Sequence, residues 1–426
     1  MALTKLQAAV IEGVLGLIWQ SPAKTSSFAA AIGSGYYLNT TTGAITVTLP
    51  SSPTIGDSIG MIDYAGTAAS NNIILTSSNN IQGSSDDKIV NYTRGALRIT
   101  YADTTQGWVA SAAANDGTSA LNPSPLLVDF LVVAGGGGSG SNFAGGSGAG
   151  GLRTSFGNET GGSVTPAETA LTFSKATAYT ITVGDGGTGA PNGTSQIGDN
   201  GDPSSISGSD ITDITTVGGG RGAFSGSASQ GGSTGGSGGG WASVSGSGYA
   251  GTVGQGKAGG NNTTGTNCGT GGGGGSTGVG VNTPGSCASG GGGAGLQVDI
   301  DGLNNFYAGG GGGGTYQSTS TSNIGGSGIG GNGGIFTLAS GIITQATSGA
   351  ANTGSGGGGG SAGGGLGGDG GSGIVILRCT EATATISAGI TVNGINVAGS
   401  VNGIAISGTS DYHYSATLGT GTITFS

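Results

Sequence analysis

Charge is scarce in this 426-residue chain, where charged residues make up 7% and aromatic residues 5%. The chain has ten Lys and Arg residues and twenty Asp and Glu residues, so its formal net charge is −10. No basic run occurs. A protein that binds nucleic acid or an anionic membrane needs basic side chains grouped against the phosphates. The composition therefore argues against both as partners.

Cysteine and histidine are equally rare. The cysteines, Cys268, Cys287 and Cys379, match no metal-ligand spacing. Cys268 and Cys287 form a disulfide only if the glycine turns bring them within bonding range, and the alternative is three free thiols. A Ser-His-Asp arrangement would need the one histidine, His413, beside a nucleophile and an orienting acid; His413 lies in an alternating strand pattern between Tyr412 and Tyr414, so an ordinary side chain is expected. We expect no catalytic residues and no cofactor.

Two acidic clusters are the only candidates for a metal site. One contains Asp199 and Asp202, and the other contains Asp299 and Asp301. Calcium takes six to eight oxygen ligands, which turn carbonyls could complete, but the EF-hand pattern is missing. Solvated turns are the alternative interpretation of both clusters.

Glycine dominates what is present, with 104 residues. The strict three-residue glycine period of collagen is absent, and disorder normally comes with more charge and less than the 34% hydrophobic residues found here. The glycines are grouped in runs, and an ordered structure is one interpretation of these runs. The runs occupy 135–138, 218–220, 238–240, 271–275, 290–293, 309–314 and 356–360.

A rod is one structure that such runs can form. Helices of polyproline II type have three residues per turn and no internal hydrogen bonds, so their N–H and C=O groups point outward. Only glycine allows such helices to approach closely enough to bond one another. Apolar segments at 126–133 and 374–377 bracket the glycine body and suggest two buried strands that pair and clamp it. The alternative is irregular glycine loops on an ordinary β scaffold.

Composition divides the chain into zones, and the fold class predicted from them is mainly β. Short alternating runs broken by turn residues, such as "AITVTL" with Val47 and Leu49, indicate half-buried strands in a small domain that would gain from oligomerisation. Asn-Gly pairs at 393–394 and 402–403 predict hairpins in the last zone. The predicted zones are an N-terminal attachment segment (1–25), a β-rich domain (26–113), a linker (114–125), a glycine-rich domain (126–379) and a C-terminal β module (380–426).

The first zone shows apolar residues at spacings of three and four. The pattern is typical of a short helix that packs on partner chains. Lys5 and Glu12 interrupt the apolar character, which argues against a membrane span and against a signal peptide. The residues that carry the pattern are Leu3, Leu6, Val10, Gly13 and Leu17.

Isolated aromatic residues among small residues are the candidates for a binding surface. Rings in such loops either plug the fold or present a stacking face to a ligand. Asn, Ser and Thr around them supply hydrogen bonds that suit a saccharide. The candidates are Trp241, Tyr249, Phe306, Tyr307, Tyr316, Tyr412 and Tyr414.

Several segments together resemble the tail fibres of bacteriophages. "MALTKLQAAVIEG" resembles the opening of many tail fibre and tailspike proteins. "YYLNTTTGAITVTLPSSPTIGDSIGMIDYAG" and "ITYADTTQGWVAS" are similar to a β domain in fibres of cyanophages and other marine phages. "DFLVVAGGGGSG", "YTITVGDGGTG" and "GGSGIVILR" resemble the glycine-rich domain of tail fibres and adhesins. Residues 380–426 match no family pattern.

The resemblance implies a homotrimeric virion protein that is assembled in the host cytoplasm. Its N-terminus would attach to tail or baseplate proteins, and its distal part would meet a host saccharide or outer-membrane protein. Related phage adhesins use polyproline II-type glycine helices as a rigid core and vary the loops. A fibre without receptor binding, a polysaccharide-degrading tailspike and a secreted matrix protein are the alternatives.

Overall fold

The computed structural model describes residues 16–114, 122–123, 125–158, 160–162, 167–191, 196–224, 231–242, 245–263, 269–285, 287–316 and 323–425. The chain divides into two compact units, Met1–Pro125 and Leu126–Ser426. Within the described residues, regular structure is β apart from one 3-10 turn at Gly326–Gly328. No helix in these ranges is long and apolar enough to cross a membrane. The mainly β prediction is confirmed.

Unit 1 holds ten strands in its described residues. They form two sheets of five, in the orders β1-β3-β5-β8-β9 and β10-β7-β6-β4-β2. Strands β1, β3 and β5 are parallel, as are β2, β4 and β6, so the chain winds back and forth between the sheets. The strands are β1 (Ile18–Lys24), β2 (Phe28–Ala29), β3 (Ser34–Leu38), β4 (Ile45–Thr48), β5 (Ser58–Asp63), β6 (Ile73–Thr76), β7 (Lys88–Val90), β8 (Ala96–Asp103), β9 (Gly107–Ala114) and β10 (Asn122–Pro123).

Side chains from both sheets fill the core of unit 1. Val47 and Leu49 are buried and Thr48 between them is exposed, which confirms the alternation predicted from the sequence. The largest side chain of this core, Trp108, is fully buried and lies edge-on to Tyr101 at 5.6 Å. Unit 1 is therefore stabilised in the usual way, by apolar side chains removed from water.

Unit 2 contains seventeen strands in its described residues. Twelve belong to one nearly closed, barrel-like sheet. The strands are β11 (Leu126–Val133), β12 (Leu152–Thr154), β13 (Leu171–Phe173), β14 (Ala178–Val183), β15 (Ser204–Ser207), β16 (Ile214–Thr216), β17 (Leu296–Val298), β18 (Asn305–Tyr307), β19 (Thr315–Tyr316), β20 (Ile335–Thr337), β21 (Ile342–Thr344), β22 (Ile374–Cys379), β23 (Thr383–Ile386), β24 (Ile390–Val392), β25 (Gly399–Asn402), β26 (Ile404–Ala405) and β27 (Tyr412–Phe425).

The two apolar strands that bracket the glycine-rich sequence pair with each other. β11 and β22 run antiparallel, with Val133 opposite Ile374 and Phe130 opposite Leu377. All four of these side chains are buried. The predicted clamp is confirmed, because the entry to and exit from the glycine-rich region are joined by one ladder of hydrogen bonds.

The last strand ties the C-terminal zone to this sheet. β27 lies between β22 and β14 in the strand order and also pairs with β23, β24 and β26. It is the longest strand in the described residues of unit 2, with fourteen residues, Tyr412–Phe425. The strands of residues 380–425 therefore share a sheet with the strands that hold the glycine-rich region.

The two Asn-Gly pairs of this zone behave differently. Asn393 and Gly394 have φ angles of 49° and 79°, and Val392 and Ile395 exchange both backbone hydrogen bonds, as in a tight hairpin. The hairpin predicted at 402–403 is wrong. There the chain passes from β25, which pairs with β23, to β26, which pairs with β27, so the two strands flanking this Asn-Gly do not pair with each other.

Between β11 and β22, the glycine-rich segments hydrogen-bond side by side in a body that we call the glycine bundle (the described residues of 134–373 outside the strands). The run 309–314 illustrates its regularity. Gly310 and Gly313 donate to the carbonyls of Gly293 and Gly290, and Gly311 and Gly314 donate to Ser147 and Ala144. Amides that are three residues apart in this run therefore donate to the same neighbouring segment.

The same run also accepts hydrogen bonds from further segments. The carbonyl oxygens of Gly310, Gly311 and Gly312 accept from the amides of Gly326, Gly273 and Gly359, respectively. Every one of these partners belongs to a different stretch of the bundle. The run is consequently enclosed by backbone on several sides, and each amide from 310 to 314 has a backbone partner, as buried peptide groups require.

Close packing explains why these positions are glycine. A Cβ built on Gly311 would overlap the carbonyl group of Gly357, and one built on Gly312 would overlap that of Asn323. The obstacle is backbone in both cases, so no rotamer change can relieve it. The bundle therefore exchanges side-chain packing for direct backbone contact, which only glycine permits.

Candidate functional site

The bundle has two distinct ends. At the sheet end, next to β11 and β22, Ala134 donates to Gly151 and Gly373 donates to Gly184. At the opposite end, which we call the far end, Gly314 donates to Ala144. Four segments reach the far end together and turn there: their last bundle residues or first loop residues are at 140–144, 314–316, 334–336 and 359–363.

Three aromatic rings meet at the far end. The rings of Tyr316 and Phe336 are nearly parallel, 12° apart, with centroids 5.6 Å apart, and Phe143 lies 5.7 Å from Tyr316. Tyr316 and Phe336 are direct partners in the parallel pair β19–β20, which is why their rings stack. All three residues are half-buried. We call this group the ring cluster.

A strained turn places Phe143 in the cluster. Asn142 and Phe143 both adopt the left-handed region, with φ angles of 56° and 55°. For a phenylalanine this conformation is unusual and costs roughly 1–2 kcal/mol. Backbone bonds hold the turn, since Ser141 donates to Gln196 at 3.0 Å and Asn142 donates to Gly365 at 3.1 Å. Such outliers concentrate at functional sites, so the turn merits a functional explanation.

Trp241 and Tyr249 form a second aromatic pair in the bundle, with centroids 5.6 Å apart and planes 26° apart. Gly246 lies against the indole so closely that a Cβ there would overlap the ring. The indole Nε1 is buried and has no hydrogen-bond partner among the described residues. Burial also raises the pKa of Tyr249. Both residues are half-buried, and their rings stack on each other within the bundle.

Phe306 and Tyr307 lie on β18, at the sheet end. Phe306 is 38% exposed, whereas Tyr307 is 3% exposed and packs with Leu296 and Val298. Burial, and then the charge of Asp301, raise the pKa of Tyr307 to about 12. Of these two neighbouring candidates, only Phe306 presents its ring to solvent.

The tyrosines of β27 belong to the core of the sheet. Tyr414 is 1% exposed, packs edge-on to Phe425 at 5.2 Å and donates its hydroxyl proton to the carbonyl of Glu381 at 2.8 Å. Burial raises its pKa. Tyr412 is half-buried and packs against the same core. Both side chains support the fold at the place where β27 meets β22.

Between them, His413 is 9% exposed, and its Nδ1 lies 3.1 Å from the hydroxyl of Ser415. Burial lowers its pKa. No carboxylate hydrogen bond orients the ring in the manner of a catalytic triad, as far as the described residues go. The structure thus agrees with an ordinary strand residue.

The four acidic candidates occupy two different settings. Asp199 and Asp202 are exposed and take part in the bundle through their backbone, accepting from Gly138 and Gly135. Asp301 accepts from the amide of Leu303 at 3.0 Å and from the side chain of Asn305 at 3.3 Å, whereas Asp299 is exposed. No group of three or more potential metal ligands occurs in the described part of the chain.

The cysteines separate into two kinds. Cys287 is disulfide-bonded, so the alternative of three free thiols is wrong, and Cys268 lies outside the described residues. Cys379 is a free, buried thiol on β22, and burial raises its pKa to about 12. A thiol with so high a pKa is a poor nucleophile, because the thiolate is the reactive form.

Of the predicted attachment residues, Leu3, Leu6 and Val10 lie outside the described residues. Leu17 is half-buried, and its side chain lies against Gly60 of β5. Trp19 follows and covers Gly35 of β3, with its ring 5.0 Å from that of Tyr37. The side chains of Leu17 and Trp19 thus cover glycines of β5 and β3.

Two members of the ring cluster, Phe143 and Phe336, were not among the sequence candidates. Phe143 lies two positions before the glycine pair 145–146, and Phe336 lies two positions after the glycine pair 333–334. A search for aromatic residues within two positions of a bundle segment would have found them. Their grouping depends on which runs lie side by side, and the sequence carries no direct signal for that.

Comparison with known families identifies the region that holds the bundle and its clamp. Residues 112–380 match the family model of a glycine-rich domain, which is well over half of the chain. The chain belongs to this glycine-rich domain family. The matched region begins within β9 and ends just after β22, so it contains both clamping strands and the bundle between them. No curated protein sequence matches the chain.

Proposed function

We propose that this glycine-rich domain protein is a virion tail fibre protein of a bacteriophage, with a structural role and a receptor-binding role. The observation that carries the proposal is the ring cluster at the far end of a bundle built from backbone. A rigid body that presents loops at one end suits adhesion to a cell surface. The sequence resemblance to phage fibres, and to adhesins with glycine-rich domains, supports the assignment to a virion that attaches to a host cell.

We further propose that the glycine runs are helices of polyproline II type. The three-residue return of the hydrogen bonds donated by Gly310, Gly311, Gly313 and Gly314 supports this, because such helices have three residues per turn. The outward direction of those bonds supports it as well, since the helix has no internal ones. Packed rods of this kind would give the fibre a stiff core with little need for side chains.

In the assembled particle, the protein would be a homotrimer whose N-terminal segment attaches to tail or baseplate proteins. Three copies would raise the strength of many weak contacts through effective concentration. The receptor would be a cell-surface saccharide or an outer-membrane protein. Contacts would come from the loops at the far end of the bundle and from exposed parts of the C-terminal strands.

A competition experiment tests the proposed function. The purified full chain is added to host cells before the phage, and the rate of phage adsorption is measured. We expect slower adsorption, in proportion to the amount of chain bound to cells. A chain that neither binds cells nor slows adsorption would contradict receptor binding and favour a purely structural fibre. Reproducible release of reducing sugar from envelope polysaccharide would instead identify a depolymerising enzyme.

A further inference from the structure

The ring cluster sits on a small sheet of its own at the far end. β20 pairs with β19 on one side and with β21 on the other. The register places Tyr316 opposite Phe336 and Phe336 opposite Ile343, so these three side chains form one row across the sheet. Phe143 extends the row beyond Tyr316. The result is a line of apolar groups rather than a compact plug.

Backbone supports the row and fixes its rings. Gly363 approaches Phe336 so closely that a Cβ there would lie 3.0 Å from the ring atoms Cδ2 and Cε2. The left-handed turn at Asn142 and Phe143 fixes the other end of the row. A ligand that stacks on these rings would meet side chains that are already ordered, and preorganised groups bind with a smaller loss of entropy.

The surroundings of the row are uncharged and polar. The segments that carry and support it, residues 139–145, 309–316, 331–347 and 356–367, contain no Asp, Glu, Lys, Arg or His. They do contain amide and hydroxyl groups, among them Asn142, Gln345 and Thr337. Within these segments neither an anionic nor a cationic ligand would find an opposite charge, whereas a neutral ligand rich in hydroxyl groups would find hydrogen-bond partners.

We propose that the row of Phe143, Tyr316 and Phe336 is a binding site for a neutral saccharide. The inference rests on the proposed function and narrows its receptor to one chemical class. The C–H face of a pyranose ring is apolar and would stack on the aromatic rings, as other flat ligands do. The hydroxyl groups at its edge would bond to the amides and hydroxyls around the row.

Saturation-transfer NMR on the full chain tests the proposal. The probes are methyl α-glucopyranoside, methyl β-galactopyranoside, methyl α-mannopyranoside and N-acetylglucosamine, each added alone in millimolar excess. We expect transfer to the C–H protons of at least one probe. Phe336→Leu keeps an apolar side chain but removes the flat ring, and it should weaken binding roughly tenfold or more, given the usual contribution of ring stacking. Phe143→Ala should act in the same direction.

Tyr64→Ala is the matched control, because Tyr64 is a 57% exposed ring of unit 1 that belongs to no candidate site. It should leave transfer unchanged. An unchanged thermal unfolding midpoint shows that Phe336→Leu still folds. The proposal is overturned if no probe shows transfer, or if Phe336→Leu binds as the parent chain does.

The adsorption competition separates this proposal from the proposed function. A chain that slows adsorption but binds no saccharide probe keeps its receptor role and loses the saccharide site, which would point to an outer-membrane protein as receptor. A chain that binds a probe through the row but does not slow adsorption keeps the saccharide site and loses the receptor role.

Discussion

Unit 1 and the glycine bundle of unit 2 both form a dense interior, but unit 1 fills it with side chains and the bundle fills it with backbone. In unit 1, apolar side chains from two sheets fill the interior, with Leu38, Leu75 and Trp108 fully buried. In the bundle, peptide groups bond directly to peptide groups, and a side chain at most positions would separate them. The comparison teaches that a chain poor in large side chains can still form a dense interior, provided that its backbone groups are paired.

The two kinds of interior differ in how they fail. A side-chain core loses stability gradually, because neighbouring side chains relax partly around a cavity. A backbone core has no side chain to move when an atom is added. Glycine also loses more conformational freedom on folding than any other residue, so the bundle depends on the sheet that clamps it.

Removal of β27 should have the largest effect. Deleting residues 412–426 removes the strand that lies between β22 and β14, and it uncovers the core that Tyr414 and Phe425 share with these strands. We expect unit 2 to lose its cooperative unfolding transition, while unit 1 keeps its own. Limited proteolysis with mass spectrometry would then recover a fragment of unit 1 alone.

The control for that deletion is Leu418→Ser, at a position on β27 that is 54% exposed. It should change the stability of unit 2 very little. A truncated chain that still protects unit 2 from protease would show that the clamp closes without its last strand.

A single added methyl group in the bundle should come next. Gly312→Ala places a Cβ against the carbonyl of Asn323, which is backbone. We expect it to destabilise unit 2 by more than Leu75→Ala destabilises unit 1, for which about 2–5 kcal/mol is typical. Gly311→Val should be at least as severe. Chemical denaturation followed for each unit separately measures both effects.

Gly341→Ala is the matched control for an added methyl group. Its Cβ would meet nothing within 4 Å, although its φ of 66° disfavours a side chain. A loss of about 1–2 kcal/mol is expected. Equal effects at Gly312 and Gly341 would mean that backbone contact in the bundle carries no special weight.

Alkaline pH should destabilise unit 2 by an intermediate amount. Burial raises the pKa of Cys379 to about 12, and burial also raises that of Tyr179 to about 12. The unfolded chain releases these protons near the ordinary values of 9.0 and 10.0, whereas the folded chain retains them. The folded state therefore binds more protons above about pH 9, and its stability falls as pH rises.

The melting temperature of unit 2, measured from about pH 8 to about pH 11, checks this sign. Cys379→Ala should flatten the early part of the decline, where the thiol of the unfolded chain titrates. A melting temperature that rises over this range would contradict the assigned burial of these groups.

Substitution of two serines of the bundle should have the smallest effects on the stability of unit 2. The hydroxyl of Ser147 lies 2.9 Å from the carbonyl oxygen of Gly357, whereas the hydroxyl of Ser237 is buried without a partner among the described residues. Ser147→Ala should destabilise unit 2 by about 1 kcal/mol, and Ser237→Ala should be neutral or stabilising. Thermal unfolding of both variants, side by side, distinguishes the two.

Several features of this fold could be predicted from the sequence, and their signals were local. The apolar runs at 126–133 and 374–377 identified the clamp, and the alternation around Val47 identified strands of unit 1. The Asn-Gly pair at 393–394 identified a hairpin. The same signal failed at Asn402-Gly403, because β25 pairs with β23 and β26 pairs with β27, so the chain crosses between partners instead of turning back.

The candidate site was only partly predictable, for a physical reason. Tyr316 was identified by its place beside a glycine run, but Phe143 and Phe336 join it through the order in which the bundle segments pack. That order is set by hydrogen bonds between peptide groups, which are identical in every glycine run and leave no trace in residue type. The sequence also did not distinguish the buried Tyr307 and Tyr414 from their neighbours, since each has a more exposed aromatic residue close by on its own strand.

Hydrogen exchange of the glycine amides tests the central claim most directly. Peptides that cover Gly309–Gly314 are followed by mass spectrometry after the native full chain is moved into deuterated water. If these amides bond to neighbouring segments, they should exchange as slowly as those of β11 and β22, over hours or longer. Exchange within seconds, at the rate of an unstructured chain, would show a flexible linker and contradict the bundle.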